Sequence, residues 1–227
     1  MDQISHTIYL FSIWALPVLI AITFHEAAHG WTAWKLGDDT AYRLGRVTFN
    51  PIKHVDPVGT LLIPGVLLAF GSPFLFGYAK PVPVDFDRLN SPRRDMVLVA
   101  AAGPAINILL AFGSALLINL IFVLPAGAQQ WMALAIEKSI IINLILAVFN
   151  MIPIPPLDGG RIAVGLLPRS LALPLARIEP MGFFIVLSLI FLLPILGQEI
   201  GMDLNFVWRF IEFIVGTLLR VILTIFT

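Results

Sequence analysis

His25-Glu26-Ala27-Ala28-His29 sets two imidazoles one helical turn apart, so both face the same way and can bind one Zn2+. The glutamate beside the first histidine is not needed as a ligand and is free to act as a general base. By composition alone, a chain with so few His and Glu yields this pattern in roughly one such sequence in a thousand. Catalytic zinc usually takes three protein ligands and leaves one position open, so a third His or carboxylate must approach from elsewhere. Cysteine is absent, which excludes thiolate ligands, thiolate nucleophiles and a disulfide framework.

The elements that must position these groups lie in an unusually apolar chain. Of 227 residues, 59% are hydrophobic and 12% charged, and the mean hydropathy is +0.94. Soluble domains are about half apolar and a quarter charged, so an ordinary soluble globule is excluded. Lys+Arg and Asp+Glu both number 14, and this balance gives no footprint for nucleic acid. Runs long enough to cross a bilayer fall at 8–34, 95–124, 131–152, 180–198 and 205–226. A sixth, 58–70, is short and contains Pro64 and Gly65, which suits a re-entrant segment better than a crossing. The N-terminal residues carry no Lys or Arg ahead of the first run and do not read as a signal peptide. The expected fold is an all-α polytopic membrane protein of five or six transmembrane helices with a re-entrant segment. It forms a single integral membrane domain over 1–227, with its core at about 8–165 and extra helices at about 180–227.

Cations mark the cytoplasmic loops. Lys35, Arg43, Arg46 and Lys53 lie in the first connection, Lys80, Arg88, Arg93 and Arg94 in the second, and Arg161, Arg169 and Arg177 in the third. The connections 124–130 and 197–205 have none. The three basic connections are therefore expected inside, with the N-terminus outside and the C-terminus inside. For the third ligand, His6 falls on the outer side, and Glu137, Glu199, Asp203 and Glu212 sit near outer ends or beside cations. Asp158 differs, because prolines before it and two glycines after it impose irregular backbone at membrane depth, tolerated only where protein or a water-filled cavity covers it. Two crossings plus a re-entrant loop bring Asp158 to the side of His25 and His29. A full crossing by 58–70 would not.

His25-Glu26-x-x-His29, Ala102-Gly103-Pro104-Ala105-Ile106-Asn107 and Asn150-x-x-Pro153-x-Pro155-Pro156-Leu157-Asp158-Gly159 together resemble the site-2 protease family of intramembrane zinc metalloproteases, in its compact prokaryotic form. The resemblance implies one Zn2+ per chain held by His25, His29 and Asp158, with Glu26 as catalytic base and Asn150 contacting or orienting substrate. It also implies a short substrate-facing β-hairpin near 77–85, transmembrane protein substrates and a prokaryotic inner membrane, with the site near the cytoplasmic leaflet.

Other residues are open to two readings. Pro81-Val82-Pro83-Val84 alternates missing and present donors, so the Val82 and Val84 amides can line an edge that pairs with an extended substrate, or the prolines can simply protect that edge. His54 can support the transition state or cap a loop, and Asn107 can touch substrate or only satisfy backbone freed by Pro104. Two rival functions also place His and Asp inside a membrane. A metal transporter would need a polar series leading to the outer face, which the sequence does not display. A zinc-tied scaffold would not need Glu26 beside its ligands.

Overall fold

The computed structural model describes residues 3–63, 66 and 79–226. Among them the regular structure is all helical, with no strand. The helices are α1 (Gln3–Lys35), the single turn α2 (Thr40–Arg43), α3 (Pro92–Ile118), α4 (Ala126–Asn150), α5 (Asp158–Leu166), α6 (Arg169–Arg177), α7 (Glu179–Glu199) with a π turn at Ser188–Leu192, and α8 (Phe206–Phe226). Ile8–Lys35, Pro92–Ile118, Ala126–Asn150 and Glu179–Glu199 are long and apolar enough to cross a bilayer, so the protein is an integral membrane protein. They match four of the five expected runs. The fifth, 205–226, forms α8, which carries Arg209, Glu212 and Arg220 and is not among these four. Charge explains the difference, since each such residue at the centre of a crossing helix costs roughly 2.5–3.5 kcal/mol. Whether 58–70 crosses or re-enters lies outside the described residues, although Pro57–Leu62 already forms a helical turn of the wide, π type.

Helices α1, α3 and α4 pack on one another, with α5 against α3 and α8 against α4. Lipid gives no hydrophobic drive for this, so close packing and hydrogen bonds must supply it. Ala111 and Ala115 let α3 approach Ile136, Ile140 and Leu144 of α4, and Ile222 of α8 closes the cluster. Trp131 donates its indole N–H to the Ser12 hydroxyl at 2.9 Å, and the Ser114 and Ser139 hydroxyls meet at 2.7 Å. Side chains such as Leu109, Leu116 and Phe184 are left exposed on outward faces, as lipid contact requires.

After α1 the chain folds back over its own last turns through residues 79–85. Four backbone donors or acceptors tie this strap down. The Lys80 N–H donates to the His54 carbonyl at 2.9 Å, and the Lys80 carbonyl accepts from Arg46 Nη2 at 2.7 Å. The Val82 N–H donates to Glu26 Oε2 at 2.6 Å, and the Asp85 N–H to Asp38 Oδ2 at 2.8 Å. The expected β-hairpin is therefore absent from 79–85, where these donors serve side chains and a loop carbonyl instead of a partner strand; 77–78 lie outside the described residues.

Asp38 is fully buried and anchors the strap to the end of α1. Its other acceptor oxygen takes the Thr40 hydroxyl at 2.5 Å and the Thr40 N–H at 3.0 Å. Burial alone would raise its pKa, but the Thr40 and Asp85 hydrogen bonds and the nearby Arg88 outweigh it and hold the carboxyl below its ordinary value. A depressed folded value means the ionised form stabilises the fold above the unfolded pKa of about 3.9, and that gain fades as pH falls through the folded value. Asp38→Ala should therefore lower stability in detergent by about 2 kcal/mol at pH 7. Thermal unfolding of both chains between pH 7 and pH 3 should show the gap narrowing as pH falls.

Candidate metal centre

His25, Glu26 and His29 stand on α1 near its Lys35 end. Asp158 is the first residue of α5. It reaches them because Pro153, Pro155 and Pro156 lack the donors that would extend α4 past Asn150, so the chain turns at 151–157 and comes back. Gly159 and Gly160 press against that turn. A Cβ on them would lie 2.2 Å from the Met151 carbonyl oxygen and 2.1 Å from the Pro155 nitrogen. On the other side α3 presents bare backbone at Gly103, where a Cβ would lie 2.4 Å from His29 Nε2 and 2.6 Å from His25 Cε1.

Four ligand-type atoms of three residues converge in this space. His25 Nε2 and His29 Nε2 are 3.0 Å apart, His25 Nε2 is 3.2 Å from Asp158 Oδ2, and His29 Nε2 is 3.4 Å from Asp158 Oδ1. These three residues form a group able to hold a metal ion. Atoms about 2.0–2.1 Å from one ion at tetrahedral angles stand about 3.3 Å apart; the two nitrogens, and each nitrogen with its nearer carboxylate oxygen, lie close to that spacing, and one ligand atom from each residue falls within 4.8 Å of the others.

Hydrogen bonds behind the rings settle which nitrogens carry lone pairs. His29 Nδ1 lies 2.7 Å from the Val99 carbonyl, which can only accept, so Nδ1 carries the proton. His25 Nδ1 lies 2.6 Å from Asn107 Oδ1. The amide NH2 of Asn107 faces the Ala21 carbonyl at 3.2 Å, which leaves its oxygen to accept from His25. With each Nδ1 as the donor, a neutral ring carries its lone pair on Nε2, facing the other Nε2 and the carboxylate, whose buried Oδ2 has no hydrogen-bond partner. A proton bridges only one pair of these atoms, whereas a cation reaches both nitrogens and the carboxylate. The donor set, two imidazoles and one carboxylate, suits Zn2+.

The remaining expected residues lie at differing depths. Glu26 is on the same turn as the ligand set, held by the Val82 amide. Asn150, half-buried at the end of α4, donates to the Leu146 carbonyl at 3.0 Å. His54 is buried in the loop beneath the strap, where its Nε2–H donates to the Thr48 carbonyl at 2.9 Å. Val84 packs against the cluster of Ala33, Leu89 and Val99. Asn107 is fully buried and faces His25. Sequence reasoning missed Asn143, also fully buried, whose Oδ1 accepts from Asn107 Nδ2 at 2.8 Å. The available signal was an amide in the middle of the apolar run 131–152. The interior is thus more polar than the sequence suggested, with Asn107, Asn143, Ser139 and Ser114 in succession, though they hydrogen-bond within the bundle.

Comparison with known proteins agrees with this chemistry. The family model for peptidase family M50 matches residues 126–193. YwhC of Bacillus subtilis, which carries the name of a zinc metalloprotease, is 40% identical over 182 residues, covering 77% of this chain and 78% of YwhC. Rip2 of Mycolicibacterium smegmatis, named likewise, is 33% identical over 76% of this chain and 64% of its own length. MJ0611 of Methanocaldococcus jannaschii, again so named, is 30% identical over 70% of this chain and 72% of its own. No solved structure matches. Zn2+ is accordingly the cofactor.

Gly103→Ala should push both imidazoles out of place and leave only a small fraction of the wild-type zinc per purified chain. Gly113→Ala on the same helix, where a Cβ meets open space, should leave zinc content unchanged. Elemental analysis of the two variants checks this pair. With a matching ligand chemistry, a matching family model and relatives of this identity and coverage, the chain belongs to the M50 zinc metalloproteases, the site-2 protease family.

Proposed function

We propose that this protease hydrolyses peptide bonds within or next to transmembrane segments of membrane-protein substrates, with His25, His29 and Asp158 holding its zinc. The observation that carries this reading is the convergence of three donor residues, with nearest ligand atoms 3.0–3.4 Å apart, in a bundle of helices apolar enough to lie in a bilayer. When bound, the zinc acidifies the attacking water and polarises the scissile carbonyl.

The chain's own groups do the rest. Glu26 takes the proton of the attacking water and returns it to the leaving amine nitrogen. Its Oε2 is held by the Val82 N–H at 2.6 Å, which fixes the carboxylate against the strap. A transmembrane helix satisfies its peptide groups internally, so it must unwind before a carbonyl can be attacked. The strap 79–85 supplies a surface for the extended segment, in which Val82 and Val84 alternate with Pro81 and Pro83; the Val82 amide holds Glu26, and Val84 is the amide-bearing residue that follows Pro83. Asn150, whose amide nitrogen is turned to its own helix, offers its oxygen to substrate backbone. His54 supports the strap through its carbonyl.

The cation distribution supports a site near the cytoplasmic leaflet of a prokaryotic inner membrane, with Lys35, Lys80 and Arg161 on the inner side. Cleavage there releases a cytosolic or peripheral fragment. Selection of substrates then rests on their transmembrane segments or on a membrane partner.

Glu26→Gln keeps the side chain's size and removes the base. In proteoliposomes carrying a panel of single-helix substrates, it should cut at least about 10²-fold more slowly than wild type while retaining zinc. Equal cleavage by both chains would rule out this mechanism.

A further inference from the structure

Behind the ligand set runs a chain of amides whose direction is fixed at its far end. Asn143 Nδ2 donates to the Ser139 carbonyl at 2.8 Å, and that carbonyl can only accept. Asn143 Oδ1 is therefore the atom left for Asn107, whose Nδ2 donates to it at 2.8 Å. The second N–H of Asn107 Nδ2 faces the Ala21 carbonyl at 3.2 Å. Both Asn107 donors are thus used on backbone-anchored acceptors, and its oxygen can only accept from His25 Nδ1 at 2.6 Å. Asn107 and Asn143 are both fully buried, so water does not compete for these bonds.

We propose that Asn143 is a positioning residue for the zinc site: acting through Asn107, it holds His25 as the Nδ1–H tautomer with its Nε2 lone pair turned to the metal. This rests on the reading of His25 as a ligand. Asn143 is one helix further from the site than Asn107 and hydrogen-bonds to Asn107 and to its own helix. Its amide contributes through direction. Without it, one buried Asn107 donor loses its shorter partner, the Asn107 amide is held only by Ala21, and the flipped amide would present N–H groups to His25 and favour the wrong tautomer. The outer partners of metal-ligating histidines tune affinity by about 10–100-fold, which sets the scale of the effect.

The test uses the full chain purified in detergent. Zinc affinity is measured by competition with a chromophoric chelator for wild type, Asn143→Leu and Asn143→Asp. A neutral Asp at this depth can still donate to Ser139 and accept from Asn107, so it restores the direction of the chain. Asn143→Leu should bind zinc about 10-fold or more weakly, and Asn143→Asp should keep wild-type affinity. Ser114→Ala, which removes a hydrogen bond between the same two helices, should change nothing. Nitrogen-15 histidine NMR of the metal-free wild type should show His25 protonated on Nδ1, a readout that needs no variant to fold. Wild-type affinity in Asn143→Leu, equal losses in Leu and Asp, or a His25 ring without a proton on Nδ1 would each overturn the relay. Failure of wild type itself to bind zinc would instead overturn the ligand reading beneath it.

Discussion

Two imidazole nitrogens and a carboxylate, with nearest atoms 3.0–3.4 Å apart inside an apolar bundle, repel one another unless a positive charge lies among them. Much of the surrounding architecture keeps them there. Val99 and Asn107 hold the rings from behind, Gly103 withholds the Cβ that would displace them, and the turn at 151–157 brings in the carboxylate. They make sense together as the preparation of a cation site, in which the fold carries the repulsion and the bound metal relieves it.

The same economy governs the backbone near the site. Non-helical chain at membrane depth must find partners for every donor and acceptor. The strap 79–85 meets this demand with few donors of its own, because Pro81 and Pro83 have none. Its Lys80, Val82 and Asp85 amides go to His54, Glu26 and Asp38, and buried Arg46 takes the Lys80 carbonyl. One of these bonds ends on the catalytic candidate itself. The strap and the base are consequently coupled, so whatever engages the strap also alters the surroundings of Glu26.

Local periodicity made part of this legible in advance. His25 and His29 could be placed on one face because a helix repeats every 3.6 residues, and Asp158 stood out because prolines and glycines around it cannot continue a helix. Four crossing helices followed from length and apolarity. Where partners come from distant helices, spacing is silent. Nothing along the chain says that Asn107 turns to His25 or that Asn143 stands behind it, because that depends on how α3 and α4 rotate against α1. The strap shows a related limit: alternation announces extended backbone but not whether its donors meet a strand or, as at Val82, a carboxylate.

The central claim is that His25, His29 and Asp158 jointly hold the zinc, and metal content tests it without any knowledge of the substrate. Zinc per chain should be measured in detergent-purified wild type and in Asp158→Ala, with helix content confirmed for both. The account predicts about one zinc in the wild type, as one three-ligand site requires, and a large loss in the variant. Full zinc in Asp158→Ala would contradict it.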